Sequence, residues 1–407
     1  MRFSRRQALH LLSASAFAQD LPLQIQTTNS DSGSLFPLIA SLAPQDAYTH
    51  SFLHPQWTSM SAYRPVARKV LTDAFAFQPP RVPLNPQVLR TEDLGTFTRE
   101  KIVFSTCAQY RVPAYLHLPK NRNGRRLPAI VDLHSHGGMF IYGKEKVIDF
   151  GPNGNSEALT KYHKANYESR PTATELVRRG YAVLTIDAFP FGERRLIMDE
   201  DLKQHGYDRA KYSTADIEKL NARCRSKEST IVKSLAYAGT TWPGIVNWDD
   251  MRSVDYLISR PEVDPDRIGC VGVSLGGYRS LMLAGMDDRI AAGCVAGFMS
   301  SVRPMIQRHI DTHSFVHFIP HIHSKLDLPD VVALRAPKPL LVLQCKRDGL
   351  FPLSGMEQSI DKLAAIYKKA KAPAGAFQSN FHDVPHIFNL AMQEEAFAWF
   401  DKTLARR

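Results

Sequence analysis

Cysteine is scarce in this chain, with five among 407 residues, and the count is odd. A stapled disulfide scaffold is therefore not its design. Cys270, Cys294 and Cys345 stand in apolar, β-branched runs that read as buried strands, and none of the five has metal-ligand spacing. Long apolar runs are also missing: after the N-terminus nothing approaches the roughly eighteen residues of a membrane span. There is no internal repeat, and no motif of a nucleic-acid module accompanies the formal net charge of +11. The basic residues are scattered, and the denser runs at 120–126 and 368–371 read as a solvated loop and helix end. What remains, at 44% apolar and 22% charged residues, is a globular protein with room for a large core.

Residues 1–18 begin with Arg2, Arg5 and Arg6, continue through a short apolar stretch and end Ala16-Phe17-Ala18. That is the form of an export signal, with Ser4-Arg5-Arg6 resembling a twin-arginine one, and it predicts a periplasmic or secreted protein. An ordinary basic N-terminus on a cytoplasmic protein is the alternative. Loss of the segment removes three Arg and no acid, which takes the formal charge from +11 to +8.

Residues 19–98 read as a helical extension, with apolar residues at helical spacing in Leu35–Leu42 and Val66–Phe77, followed by a strap carrying Pro79, Pro80, Pro83 and Pro86. From residue 99 onward strands and helices alternate. Eight strands are expected near 101–107, 112–118, 128–133, 181–186, 267–273, 290–296, 339–344 and 375–380. The pattern predicts a mostly parallel, doubly wound α/β sheet of about eight strands with helices on both faces. Two long connections, near 139–171 and 189–230, leave one edge of that sheet and are expected to form a lid or cleft wall.

Gly272-Val273-Ser274-Leu275-Gly276 is a G-x-S-x-G sequence set between an apolar strand and a helix. So tight a turn needs small neighbours and projects the Ser274 hydroxyl above the sheet. A serine hydroxyl needs a base to take its proton and an acid to orient that base, in the order Ser, acid, His. Asp348, after the strand ending near Gln344, is the expected acid, with Asp311 in reserve. His386, held by Pro385 ahead of the last helix, is the expected base, with His382 as its neighbour. The N–H of Leu275 supplies one oxyanion donor, and Gly138 or Met139 of His134-Ser135-His136-Gly137-Gly138-Met139 the other.

These residues carry a resemblance to the α/β hydrolases, and among them to the dienelactone-hydrolase-like and acetyl xylan esterase-like bacterial esterases. It extends from about residue 100 to the C-terminus and includes Asp187 to Arg194, Trp248-Asp249-Asp250-Met251-Arg252, Pro261 to Ile268 and Ala336 to Pro339. Dienelactone hydrolases use a cysteine nucleophile, so Ser274 removes that reaction from the implication. What the resemblance implies is a serine esterase acting on a small or polysaccharide ester, with acetylated carbohydrate favoured. No cofactor, metal, nucleic acid or membrane span is expected.

His136, Trp242 and His317 are the expected substrate-binding residues. His309, His313, His317 and His321 recur every four residues, which would line a helix face and could ligate zinc; a polar pocket wall is the preferred reading, because Pro320 interrupts the helix. Two rivals stand beside the esterase. A prolyl-oligopeptidase-like peptidase shares the catalytic core, but residues 19–98 are too few for a β-propeller. A binding protein on a hydrolase scaffold would not need the complete Ser274, Asp348 and His386 set.

Overall fold

A computed structural model describes residues 27–43, 48–121 and 124–405. The export signal read at 1–18 lies outside them. Nine strands form one sheet: β1 (Gln87–Asp93), β2 (Phe97–Ser105), β3 (Arg111–Pro119), β4 (Leu127–Leu133), β5 (Ala182–Ile186), β6 (Val263–Val273), β7 (Ile290–Ala296), β8 (Leu340–Cys345) and β9 (Phe377–His382). Their order is β1-β2-β3-β5-β4-β6-β7-β8-β9. The pairs from β1 to β5 are antiparallel, and every pair from β5 through β4 to β9 is parallel.

The strand missing from the sequence reading is β1, placed there in the Pro-rich strap. Its residues are almost all exposed, so it lacks the apolar alternation that marks a half-buried strand. It is an edge strand held by its ladder to β2. The strap proper is tied down just before it, where Ser105 N–H donates to Leu84 O (2.7 Å) and Arg252 Nη2 to Val82 O (2.6 Å).

Both faces of the sheet are covered, which the alternation along each parallel strand requires. Leu340 and Val342 of β8 join one apolar cluster, while Leu341, Leu343 and Cys345 join the other. The first cluster takes in the helices Met60–Phe75, Trp242–Ser259, Leu275–Met286 and Leu353–Lys369; the second takes in Thr172–Arg178 and Leu390–Thr403. In the helix Met60–Phe75 the residues Tyr63, Ala67, Leu71 and Phe75, four apart, form the buried stripe, and Ser59 Oγ caps the N-terminus by accepting Ala62 N–H. All five cysteines are buried and free. Among the described residues no helix is long and apolar enough to cross a membrane.

His117 of β3 is buried between the rings of Phe97 and Tyr115. Burial, reinforced by nearby Arg99, pushes its pKa down to about 3. The unfolded chain then binds a proton that the fold refuses, so stability is full above pH 6.5 and falls as pH drops toward 3. The loss approaches about 1.4 kcal/mol per pH unit. Urea unfolding of His117→Phe is expected to show a shallower acid-side fall than the parent; equal slopes would remove His117 as the cause.

Candidate active site

β6 runs directly into Ser274, and the helix Leu275–Met286 starts one residue later. Ser274 sits at φ +59°, ψ −125°, a conformation disfavoured for any side-chain-bearing residue and held by its N–H donating to Ala296 O (3.1 Å). The glycines on either side make the turn possible. A methyl group at Gly272 or at Gly276 would collide with the Leu133 carbonyl oxygen of β4. Leu275 is the first residue of the helix, so its N–H has no carbonyl four residues back within the helix.

Asp348 follows β8, with a side chain only 1% exposed. Its Oδ1 accepts Leu350 N–H (2.9 Å), and its Oδ2 is 2.6 Å from His386 Nδ1. His386 lies between β9 and the helix Leu390–Thr403. Its Nε2 is buried and has no partner among the described residues, and with Ser274 it lines one cavity of about 290 Å³. The two alternatives raised by the sequence lie elsewhere. Asp311 is exposed and donates its backbone N–H to Asp31 Oδ2 (3.3 Å), and His382 Nε2 is occupied by Glu395 (2.8 Å).

The loop after β4 is held from behind. Lys146 Nζ, fully buried, donates to the carbonyls of Ser135 (2.8 Å) and His136 (3.0 Å), and Ser135 Oγ bonds Tyr162 Oη. Burial pulls the Lys146 ammonium well below the usual lysine range, and nearby Asp187 and Glu145 only partly restore it. His136 Nδ1 accepts Gly138 N–H (3.0 Å), which leaves the ring proton on Nε2 to donate to Glu228 (2.8 Å). Burial lowers the His136 pKa. Burial raises that of Glu228, but His136 and Arg225 outweigh it and hold the carboxyl below its ordinary value. The pair is therefore a neutral imidazole on a carboxylate.

These bonds correct the second oxyanion donor. Gly138 N–H is committed to His136, and Met139 N–H to His136 O (3.2 Å); Met139 does not line the cavity. Gly137 does, at φ +50°, and its N–H meets no acceptor among the described residues. The carbonyl of the same peptide, that of His136, faces Lys146. A trans peptide puts its N–H on the opposite side, away from the lysine.

Trp242 is a second correction. It opens the helix Trp242–Ser259, is 1% exposed, packs against Phe189 and donates Nε1–H to Phe189 O (2.7 Å). It belongs to the core and is absent from the cavity. The His309–His321 series is not a helix face either, because its segment contains only short turns such as Phe315–His317. Of that series only His313 and His317 reach the cavity; His313 Nε2 is 3.0 Å from Leu350 O, while neither nitrogen of His317 has a partner among the described residues. Burial lowers both pKa values, that of His317 strongly, so both rings are neutral. Among the described residues no group of three or more His, Cys, Asp or Glu is placed to hold a metal ion.

Both long connections contribute to the cavity wall. Asn166 comes from the first and Arg225 from the second, where Glu228 holds Arg225 Nη1 (2.9 Å) as well as His136. The sequence reading missed these two residues, along with Thr312, Ser314 and Leu350. None stands in a motif, and only the packing of the two connections brings them to Ser274.

A strand that delivers a serine into a strained turn, at the carboxyl edge of a doubly wound sheet, defines the fold, which is that of the α/β hydrolases. Residues 241–407, the part that carries Ser274, Asp348 and His386, match the model of the Prolyl oligopeptidase family, Peptidase_S9. The chain is similar to YtaP of Bacillus subtilis (strain 168), assigned as a hydrolase, at 29% identity over 83% of this chain and 98% of that one. In fold it is similar to a Bacteroides fragilis NCTC 9343 protein assigned as an acetyl xylan esterase (TM-score 0.64, 18% identity, 87% of this chain and 82% of that one). It is also similar to the glucuronoyl esterase from Solibacter usitatus (TM-score 0.59, 14% identity, 90% and 100%).

Proposed function

We propose that the protein hydrolyses carboxylic esters of carbohydrates, with an acetyl group as the favoured acyl part. The observation that carries this reading is the unpartnered His386 Nε2, oriented by Asp348 and lining the same cavity as Ser274. Ser274 Oγ attacks the acyl carbon as His386 takes its proton. His386 returns that proton to the leaving alcohol, and water repeats the cycle on the acyl-enzyme. The N–H groups of Leu275 and Gly137 receive the oxyanion.

The small cavity supports a small acyl group, and the polar wall of His136, Thr312, Ser314 and His317, with Arg225 held by Glu228, supports a hydroxylated alcohol. The carbohydrate esterases named among the fold neighbours agree with this choice. A peptidase reading draws on the family match. Against it, the described residues ahead of β2 form helices, a strap and an edge strand, with no propeller to admit a peptide.

The test has two arms. A fluorophosphonate is expected to label the protein at Ser274, and acetylated xylo-oligosaccharide is expected to be turned over faster than a Gly-Pro nitroanilide. Absence of label sinks the nucleophile; preference for the anilide sinks the ester reading.

A further inference from the structure

A second cavity, of about 390 Å³, lies where the two long connections meet over β3. Tyr115 of β3, Tyr142 and Phe150 of the first connection and Tyr212 of the second supply its aromatic lining. Tyr212 is 7% exposed, and its hydroxyl has no hydrogen-bond partner among the described residues. Around it stand the Tyr142 hydroxyl, which donates to Ser156 Oγ (2.8 Å), and the exposed amide of Asn153.

The charged groups at this cavity are already matched. Arg209 Nη2 is 2.8 Å from Glu145 Oε1, and the guanidinium lies over the Tyr142 ring. No charge is left over to bind a carboxylate or phosphate. Aromatic faces with a rim of hydroxyl and amide groups suit a ligand that has one apolar face and hydroxyls around its edge. The two connections are joined where Thr214 Oγ1 donates to Glu157 Oε2 (3.2 Å).

We infer that this cavity is a non-catalytic binding site for one ring of a neutral sugar. Its place favours a chain over a lone ring. Ser156 and Leu159 line it at the start of the helix Glu157–Tyr167, and Asn166 lines the catalytic cavity at the far end. Eleven residues make that helix roughly 15 Å long. An oligosaccharide held by one ring here would need several further rings to span the distance to Ser274. The assignment stands on the cavity's own residues and takes only its choice of probes from the ester reading.

The test is calorimetric titration of the full chain carrying Ser274→Ala with xylotriose, cellotriose, mannotriose and trigalacturonate. One or more of the neutral trisaccharides is expected to bind. Adding Ala210→Trp, at an exposed position on the cavity wall, is expected to weaken binding at least about tenfold. Tyr212→Ala, which removes one aromatic wall, is expected to weaken it at least about fivefold. The thermal midpoint of each variant verifies folding. No binding by any neutral trisaccharide, binding unmoved by both substitutions, or preference for trigalacturonate overturns the inference. Fluorophosphonate labelling reads the serine independently, so an unlabelled protein that still binds a trisaccharide loses the esterase reading and keeps this one.

Discussion

Replacing Ser274 with Ala is expected to lower turnover of 4-nitrophenyl acetate by about four to six orders of magnitude, the range found when a serine nucleophile is removed. The hydroxyl is the only group at the strained turn that can bond to the acyl carbon. The Asp348–His386 pair survives the change, as do the two N–H groups, so a small residual rate above water should persist. Asp348→Asn should lose about four orders, since an amide cannot hold the His386 proton on Nδ1 and leave Nε2 free to accept. Ser274→Gly should be equally inactive yet more stable by about 1 kcal/mol, because glycine meets no penalty at φ +59°. Release of nitrophenolate measures the first two, and urea unfolding the third. A Ser274→Ala enzyme keeping more than about a hundredth of the parent rate would falsify the assignment of the nucleophile.

The second large effect concerns stability and lies beneath the same turn. Asp250, on the helix Trp242–Ser259, and Arg279, on Leu275–Met286, are buried and joined by two bonds (Oδ2–Nε 3.0 Å, Oδ1–Nη2 2.6 Å). Arg279 also reaches His134 O (3.4 Å), at the root of the loop carrying Gly137. Burial pushes the Asp250 pKa up while Arg279 opposes it, so desolvation offsets much of the attraction. Removing one partner is a different matter. Asp250→Ala strands the guanidinium and should cost about 3–5 kcal/mol, read as a lowered urea midpoint. Asp250→Leu with Arg279→Met, which strands nothing, should recover most of that loss. If the double variant is as unstable as the single one, the cost comes from packing and the charge argument fails.

This pair also explains what could be read from the sequence. The run Trp248 to Arg252 stood out without a physical reason. Asp250 binds Arg279, and Asp249 binds Arg194 (2.7 Å) and Thr106 (2.6 Å), so its acids fasten the loops above the sheet. The parallel strands were legible because burial on both faces leaves continuous apolar runs. Ser274 and Asp348 were legible because each follows such a strand at the edge where the chain turns, and His386, which follows the exposed strand β9, was legible from its order in the chain and from Pro385 beside it. β1 was not, since an exposed edge strand needs no apolar pattern. The Gly137 donor was hidden as well: its direction depends on Lys146, ten residues from His136 in the chain, and sequence spacing does not disclose which carbonyl a buried ammonium selects. Trp242 misled because an aromatic beside a sheet edge reads the same whether it faces a ligand or the core.

The position of β9 bears on when activity can arise. The proposed base lies beyond the last strand of the sheet, so Ser274 and its glycine-flanked turn are synthesised and can be folded long before His386 exists. β9 docks only on β8, and the helix Leu390–Thr403 then covers one face of the parallel strands. On the proposed mechanism the nascent chain carries an unactivated hydroxyl until its sheet is complete.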